Sequence, residues 1–340
     1  MMRLAIIGVG WAGQRQVQAL AELGDEIELV CCVDDDAEHL ARVAAELGVA
    51  DTRGDLTSVL QDDTVDAVSL CTPHALHASM AIAAAEAGKH VIVEKPMALS
   101  VEEATSMIEA AERAGVRLYV AESATYQPLA GFLREVVQSR RHIGELVTAT
   151  VMDGFRAPDY GYPDRRAWLG QPALGGTGTW MLHGIHTVAQ LRYVFGEVAT
   201  VYAHQHRTSG FKRRDIEATM DLQLTLSSGA SVHVVQSSET RFPADMGGYT
   251  IFGDLGCLRA RRDKCWFIDD EGEQECVTMP AAQPSEFAQE LAGFAQWVLG
   301  EDPGPTTGRS ERRSLAIVQA GYESAASGRP IDLVQRFGEL

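Results

Sequence analysis

At 340 residues, with 46% hydrophobic and 22% charged residues, the chain is ordinary globular material, long enough for two domains with separate cores. A formal net charge of -18 and a pI near 4.9 argue against a nucleic-acid surface, which needs a dominant basic face. No apolar run reaches the length of a transmembrane helix, the first residues lead straight into a glycine motif, and the cysteines show no CxxC spacing. The expectation is a cytoplasmic protein with no disulfide framework, no metal site, and no membrane or nucleic-acid partner.

From residue 3 to 121, short β-branched runs alternate with longer Ala-rich amphipathic runs, the pattern of βαβ units around a parallel sheet. Strands are expected at 4–7, 28–33, 67–70, 90–93 and 118–121, with helices at 12–23, 37–47, 75–87 and 101–114. Gly24, Gly48, Gly88 and Gly115 stand just past the helix ends, where a left-handed residue closes a helix. After about residue 123 a helix (129–139) gives way to longer alternating segments at 145–155, 198–206, 218–226 and 230–240, read as antiparallel strands with a hairpin turn at Ser228-Gly229. A helix is expected at 180–195, another at 286–299, and a last one at 311–326, after a Pro/Gly-rich connection and before Gly328 and Pro330. The fold class expected is a Rossmann dinucleotide-binding domain (1–123) followed by an open, mainly antiparallel sheet domain (124–340) for substrate and oligomerisation.

Gly8-Val9-Gly10-Trp11-Ala12-Gly13 is a GxGxxG that follows a strand and opens a helix. Gly8 permits the tight turn, Gly10 admits the pyrophosphate to the backbone, and Gly13 allows close helix packing. The free N–H groups at the start of the helix at 12–23 then face the phosphates, with Trp11 and Ala12 counted among the cofactor-binding residues. Asp34 ends the second strand about 20 residues on, where a carboxylate accepts from ribose hydroxyls and repels a 2′-phosphate, which favours NAD over NADP. The bland alternative for 34–36 is a solvated turn and helix N-cap.

Two further segments lie at the carboxyl ends of strands, where open α/β sheets bind ligands: Thr72-Pro73-His74-Ala75-Leu76-His77 and Glu94-Lys95-Pro96. An ammonium at Lys95 can orient a substrate hydroxyl or carbonyl and stabilise developing oxygen charge. On the glycine loop, Asp34, Thr72-Pro73 with His77, the run 87–96 ending in Glu-Lys-Pro, and Gly184-Ile185-His186, the chain resembles the glucose-fructose oxidoreductase, inositol dehydrogenase and MocA (Gfo/Idh/MocA) family over nearly its whole length. The resemblance implies that Lys95 acts in the active site and that Glu94 and the turn around Thr72 help hold the cofactor. It also implies that His186 is an acid/base residue, a role that the unperturbed pKa of histidine suits. It implies, further, pairing into a homodimer or homotetramer through the outer face of the sheet.

One departure stands out. The family reads Asp-x-Gly-x-His where this chain has Leu182-His183-Gly184-Ile185-His186, so the aspartate position is a leucine. His183, one helical turn from His186, is a candidate to compensate as a substrate contact, although a core histidine is the alternative. Two histidines alone are an incomplete metal set.

Tyr126, Tyr160, Tyr162 and Trp168 are candidates to line a pocket or simply to pack. A basic stretch at 204–214, with Arg156, Arg165 and Arg166, would suit an anionic substrate if it faced the site, and is otherwise solvated loop. The function expected is reversible hydride transfer between NAD and a secondary alcohol of a sugar, cyclitol or cyclic diol. The alternatives are an aromatic cis-dihydrodiol dehydrogenase acting on a carboxylated ring, an NAD-dependent glycoside hydrolase, and a non-catalytic NAD-binding sugar sensor. The last is disfavoured by the presence of both Lys95 and His186.

Overall fold

The computed structural model describes residues 1–157, 164–176, 178–213, 215–243, 246–269 and 271–339. Tyr160, Tyr162, Arg214 and the side chain of Arg165 lie outside the described residues. The described chain forms two compact units, one of 1–123, 164–176 and 283–315, the other of the remainder.

In the first unit, six runs form a parallel sheet: β1 (Met2–Ile7), β2 (Ile27–Val33), β3 (Thr52–Arg53), β4 (Ala67–Leu70), β5 (His90–Glu94) and β6 (Leu118–Ala121), in the order β3-β2-β1-β4-β5-β6. Such strands are apolar on both faces because helices cover both, and β4, Ala-Val-Ser-Leu, is buried at every position. The helices are α1 (Trp11–Leu20), α2 (Ala37–Leu47), α3 (Leu56–Leu60), α4 (His74–Glu86) and α5 (Val101–Ala114). Ser100 caps α5 by accepting from Glu103 N, and all four glycines expected beyond helix ends have positive φ. β3 and α3 were not anticipated; at two and five residues they are too short to carry a periodicity.

The later segments 164–176 and 283–315 belong to this unit as well. α9 (Glu286–Val298) sets Ala288, Leu291, Phe294 and Ala295, all fully buried, into the core formed by Leu4, Ile6, Val17, Ile92 and Tyr119. The order of the sheet reverses between β1 and β4, so the turns after these two strands flank the crevice in which such folds take nucleotides.

The second unit is built on a nine-stranded sheet. Its strands are β7 (Leu146–Gly154), β8 (Val198–His206), β9 (Thr219–Leu226), β10 (Ser231–Ser237), β11 (Gly248–Gly253), β12 (Cys257–Arg261), β13 (Lys264–Asp269), β14 (Gly272–Thr278) and β15 (Ile331–Asp332), ordered β14-β13-β12-β11-β7-β10-β9-β8-β15. The β9–β10 hairpin turns at Ser228-Gly229 as expected, and the sheet is mainly antiparallel.

Two expectations are corrected here. β7 and β10 run parallel, a pairing that no local pattern encodes, and β11–β14, of five to seven residues each, were not anticipated. α6 (Pro128–Ser139), α7 (Pro172–Gly175), α8 (Ile185–Phe195), α10 (Gly308–Ser327) and α11 (Leu333–Phe337) complete the chain, with α7 in the first unit. The single helix expected over 180–195 is a π-helical turn, Trp180–Gly184, running into α8. No helix among the described residues is long and apolar enough to cross a membrane.

Candidate active site

β1 ends at Ile7 and α1 starts at Trp11, so Gly8–Gly10 must reverse the chain at the sheet edge. Gly8 has φ +90°, and a Cβ there would stand 2.5 Å from the Cys71 carbonyl oxygen, so the turns after β1 and β4 are in contact. A Cβ on Gly13 would collide with the carbonyl of Gly8, whereas one on Gly10 meets nothing within 4 Å. α1 has neither a side-chain cap nor an acidic residue in its first turn. The N–H groups of Trp11, Ala12 and Gly13 therefore face outward as anion donors. Trp11 itself is exposed, edge-on to Phe287.

Asp34 is nearly buried. Its Oδ2 accepts from Val9 N (3.0 Å) and its Oδ1 from Asp36 N (3.1 Å). Asp36 caps α2 by accepting from His39 N, so the cap and the inward-facing acid, posed as alternatives above, are both present on different residues. His39, which the sequence reading passed over, fixes the loop from the other side. Its Nε2 donates to Val9 O (2.8 Å) while Nδ1 accepts from Arg42 (2.9 Å). A carboxylate has acceptor capacity beyond two bonds. An open Gly10, an uncapped helix start and an acidic strand end together fit a dinucleotide with pyrophosphate on the loop and ribose at Asp34.

The second turn is held by His77. Expected as a cofactor contact, it is instead completely buried, with Nε2 2.9 Å from Thr72 O and Nδ1 3.0 Å from Pro96 O. Burial lowers its pKa to about 4, against the two carbonyls, which favour the charged form; the neutral ring has one N–H and donates to one of these carbonyls, packed between the Thr72-Pro73 turn and the Glu94–Pro96 run. Thr72 Oγ1 donates to Met80 Sδ (3.5 Å), and Pro73 precedes α4 as its N-cap residue. His74 Nδ1 meets Gly175 O (2.8 Å), and its ring lies edge-on to half-buried Trp168, with centroids 4.8 Å apart. Trp168 is thus packed within the first unit.

Lys95 stands half-buried just past β5. Desolvation lowers its pKa, while the Glu122 and Glu94 charges oppose that shift. Glu94 is raised by desolvation and partly restored by Lys95. Its Oε1 accepts from Gln16 Nε2 (3.3 Å), whose amide oxygen accepts from Ser69 Oγ. Glu290, from α9, is fully buried beside these carboxyls, and its pKa is raised well above the carboxylate range by burial and by Glu94 and Glu122. Neither Glu122 nor Glu290 carried a sequence signal, because only the fold pairs β6 beside β5 and packs α9 against the same core.

In the second unit the π-helical turn is anchored by Glu217, a residue without any motif. Its Oε1 accepts from Trp180 N (2.7 Å) and from the Tyr322 hydroxyl (3.0 Å), and burial raises its pKa to about 7. Trp180 is fully buried, and its indole N–H donates to Val318 O (3.2 Å). This anchor starts the segment that carries His183 and His186. Leu182, at the family's aspartate position, is buried, and the His183 ring sits edge-on to Phe155 at 4.5 Å.

Tyr126 is half-buried in the short turn Ser123–Tyr126, and Arg156 is exposed beyond β7. In the basic stretch, Arg213 is paired with Asp215 through two hydrogen bonds, and Arg207 donates to Ile216 O. These are loop-internal uses of charge.

Comparison with known proteins agrees with this geometry. The oxidoreductase family model with an NAD-binding Rossmann fold matches residues 2–122, and the GFO/IDH/MocA C-terminal domain matches residues 132–259. A D-xylose 1-dehydrogenase (NADP(+)) of Haloferax volcanii is 30% identical across 98% of this chain and 100% of that protein. A 4-carboxy-2-hydroxymuconate-6-semialdehyde dehydrogenase of Sphingobium is 30% identical across 100% of this chain and 98% of its own. The crystal structure of an oxidoreductase from Agrobacterium radiobacter, in complex with NAD+, L-tartaric acid and magnesium, superposes with a TM-score of 0.83 at 25% identity, covering 98% of this chain and 99% of that one. Matched in both its Rossmann and its C-terminal regions, the chain belongs to the Gfo/Idh/MocA family of oxidoreductases.

Proposed function

We propose that this protein interconverts a secondary alcohol and a ketone on a sugar, cyclitol or cyclic diol, with NAD as the hydride carrier. The observation that carries this reading is Lys95, a desolvated ammonium among buried carboxyls on the same sheet edge as the glycine loop and Asp34. The nicotinamide, when bound, accepts or returns the hydride. Gly8, Gly10, Trp11, Ala12 and Gly13 seat the pyrophosphate, Asp34 takes the ribose, and Thr72, Pro73 and Glu94 border the cofactor, with His77 acting through the two turns it joins. Lys95 and His186 handle the substrate hydroxyl proton. His183, Tyr126, Trp168 and Arg156 are the proposed substrate contacts.

Asp34 favours NAD over NADP, although the Haloferax relative is named for NADP. Ring-derived acids belong in the substrate panel because the Sphingobium relative is named for one. The nucleotide domain, expected at 1–123, also takes in 164–176 and 283–315, and the rest of 124–340 is the substrate and oligomerisation domain of a cytoplasmic homodimer or homotetramer joined through the outer face of the nine-stranded sheet.

The test is a fluorescence titration with NADH and then NADPH, followed by turnover of NAD with a panel of pentoses, cyclitols and carboxylated cyclic diols. Lys95→Ala is expected to keep NADH affinity and lose turnover on every panel member that the native protein oxidises. A Lys95→Ala protein that still turns over would refute the assignment.

A further inference from the structure

The turn that presents His186 carries a buried leucine where the family carries an acid, and His183 turns its ring against Phe155. The sheet beneath α8 supplies a different carboxylate. Tyr249 on β11 pairs with Val151 on β7, and its hydroxyl donates to Gln190 Oε1 (2.5 Å) on α8, which shows that α8 covers this face of the sheet. Two residues further along β7, on the same face, is Asp153, and one turn back along α8 from Gln190 is His186. The histidine charge acts on Asp153, and the fully buried Gln236 is its register partner on β10. Asp153 remains exposed at its open end.

We propose that Asp153 supplies from the sheet the carboxylate missing at position 182, pairing with His186 and orienting its ring for proton transfer. Asp153 is in these terms a positioning residue. A carboxylate facing an imidazole fixes its tautomer and stabilises the imidazolium form. Among the described residues, the titratable groups facing Asp153 are His186 from α8 and Tyr249 from β11. The phenol is pushed up by burial and by Asp153 itself, so it stays neutral, and Gln236 from β10 is uncharged. The proposal rests on the reading of His186 as a proton-handling group.

The experiment is a nitrogen-15 NMR reading of the His186 ring tautomer in native protein, Asp153→Asn and Asp153→Glu, with the signal assigned from His186→Asn and folding checked by NADH titration. Asp153→Asn is expected to change the ratio of the two ring tautomers by about threefold or more, and Asp153→Glu to restore it. An unmoved tautomer ratio in Asp153→Asn overturns the pairing, whatever the turnover. Full turnover by His186→Asn would instead overturn the role of His186, so the two failures are distinguishable.

Discussion

Glu217 offers a sharp test of how the histidine-bearing turn is built. In the folded protein its carboxyl is buried and titrates near pH 7; released into solvent it titrates near 4.5. Between those values the folded state holds a proton that the unfolded state has given up, so raising the pH favours unfolding, and stability present at pH 4.5 is lost progressively up to pH 7. Glu217→Gln keeps an oxygen for the Trp180 N–H and the Tyr322 hydroxyl and cannot ionise. The native protein should therefore fall behind the variant by about 2 kcal/mol at about pH 6 and about 3 kcal/mol at about pH 7.5, measured relative to their difference at acid pH. Urea unfolding followed by far-UV circular dichroism at acid, intermediate and neutral pH reads this directly. A native-minus-variant difference that stays constant with pH would show that Glu217 is ionised in the fold, and the argument from its burial would fail.

Two glycines a turn apart should respond oppositely. Gly10→Ala places a methyl in open space and should leave thermal stability unchanged while weakening NADH binding on the order of tenfold or more, because the methyl occupies the phosphate approach. Gly13→Ala forces α1 away from β1 and should lower the melting temperature outright, even without cofactor. Phe294→Ala should destabilise the nucleotide-binding unit by about 3–5 kcal/mol by chemical denaturation, because α9 completes its core. Native-like stability in that variant would mean that the helix is dispensable to the Rossmann core.

The first half of the protein was legible because its information is local. β4 and β6 were located to the residue, and α2 and α5 likewise, since β-branched runs, apolar periodicity and closing glycines are each encoded within a dozen residues. The same holds for the glycine loop and Asp34, whose meaning depends only on their positions between one strand and one helix. What the chain could not announce was set by contacts between distant segments. The parallel pairing of β7 with β10 is settled by the sheet as a whole. Glu122 and Glu290 join Glu94 through the placing of β6 and α9, Glu217 reaches the π-helical turn from a loop ahead of β9, and Asp153 comes within reach of the His186 charge because one face of β7 lies under α8. His77 was expected at the cofactor, yet only packing decided that its two ring nitrogens lie against backbone carbonyls. Periodicity specifies which face of an element turns inward, whereas the partner met there, and hence the charge state of a buried acid or imidazole, exists only once the tertiary structure has removed water from around it.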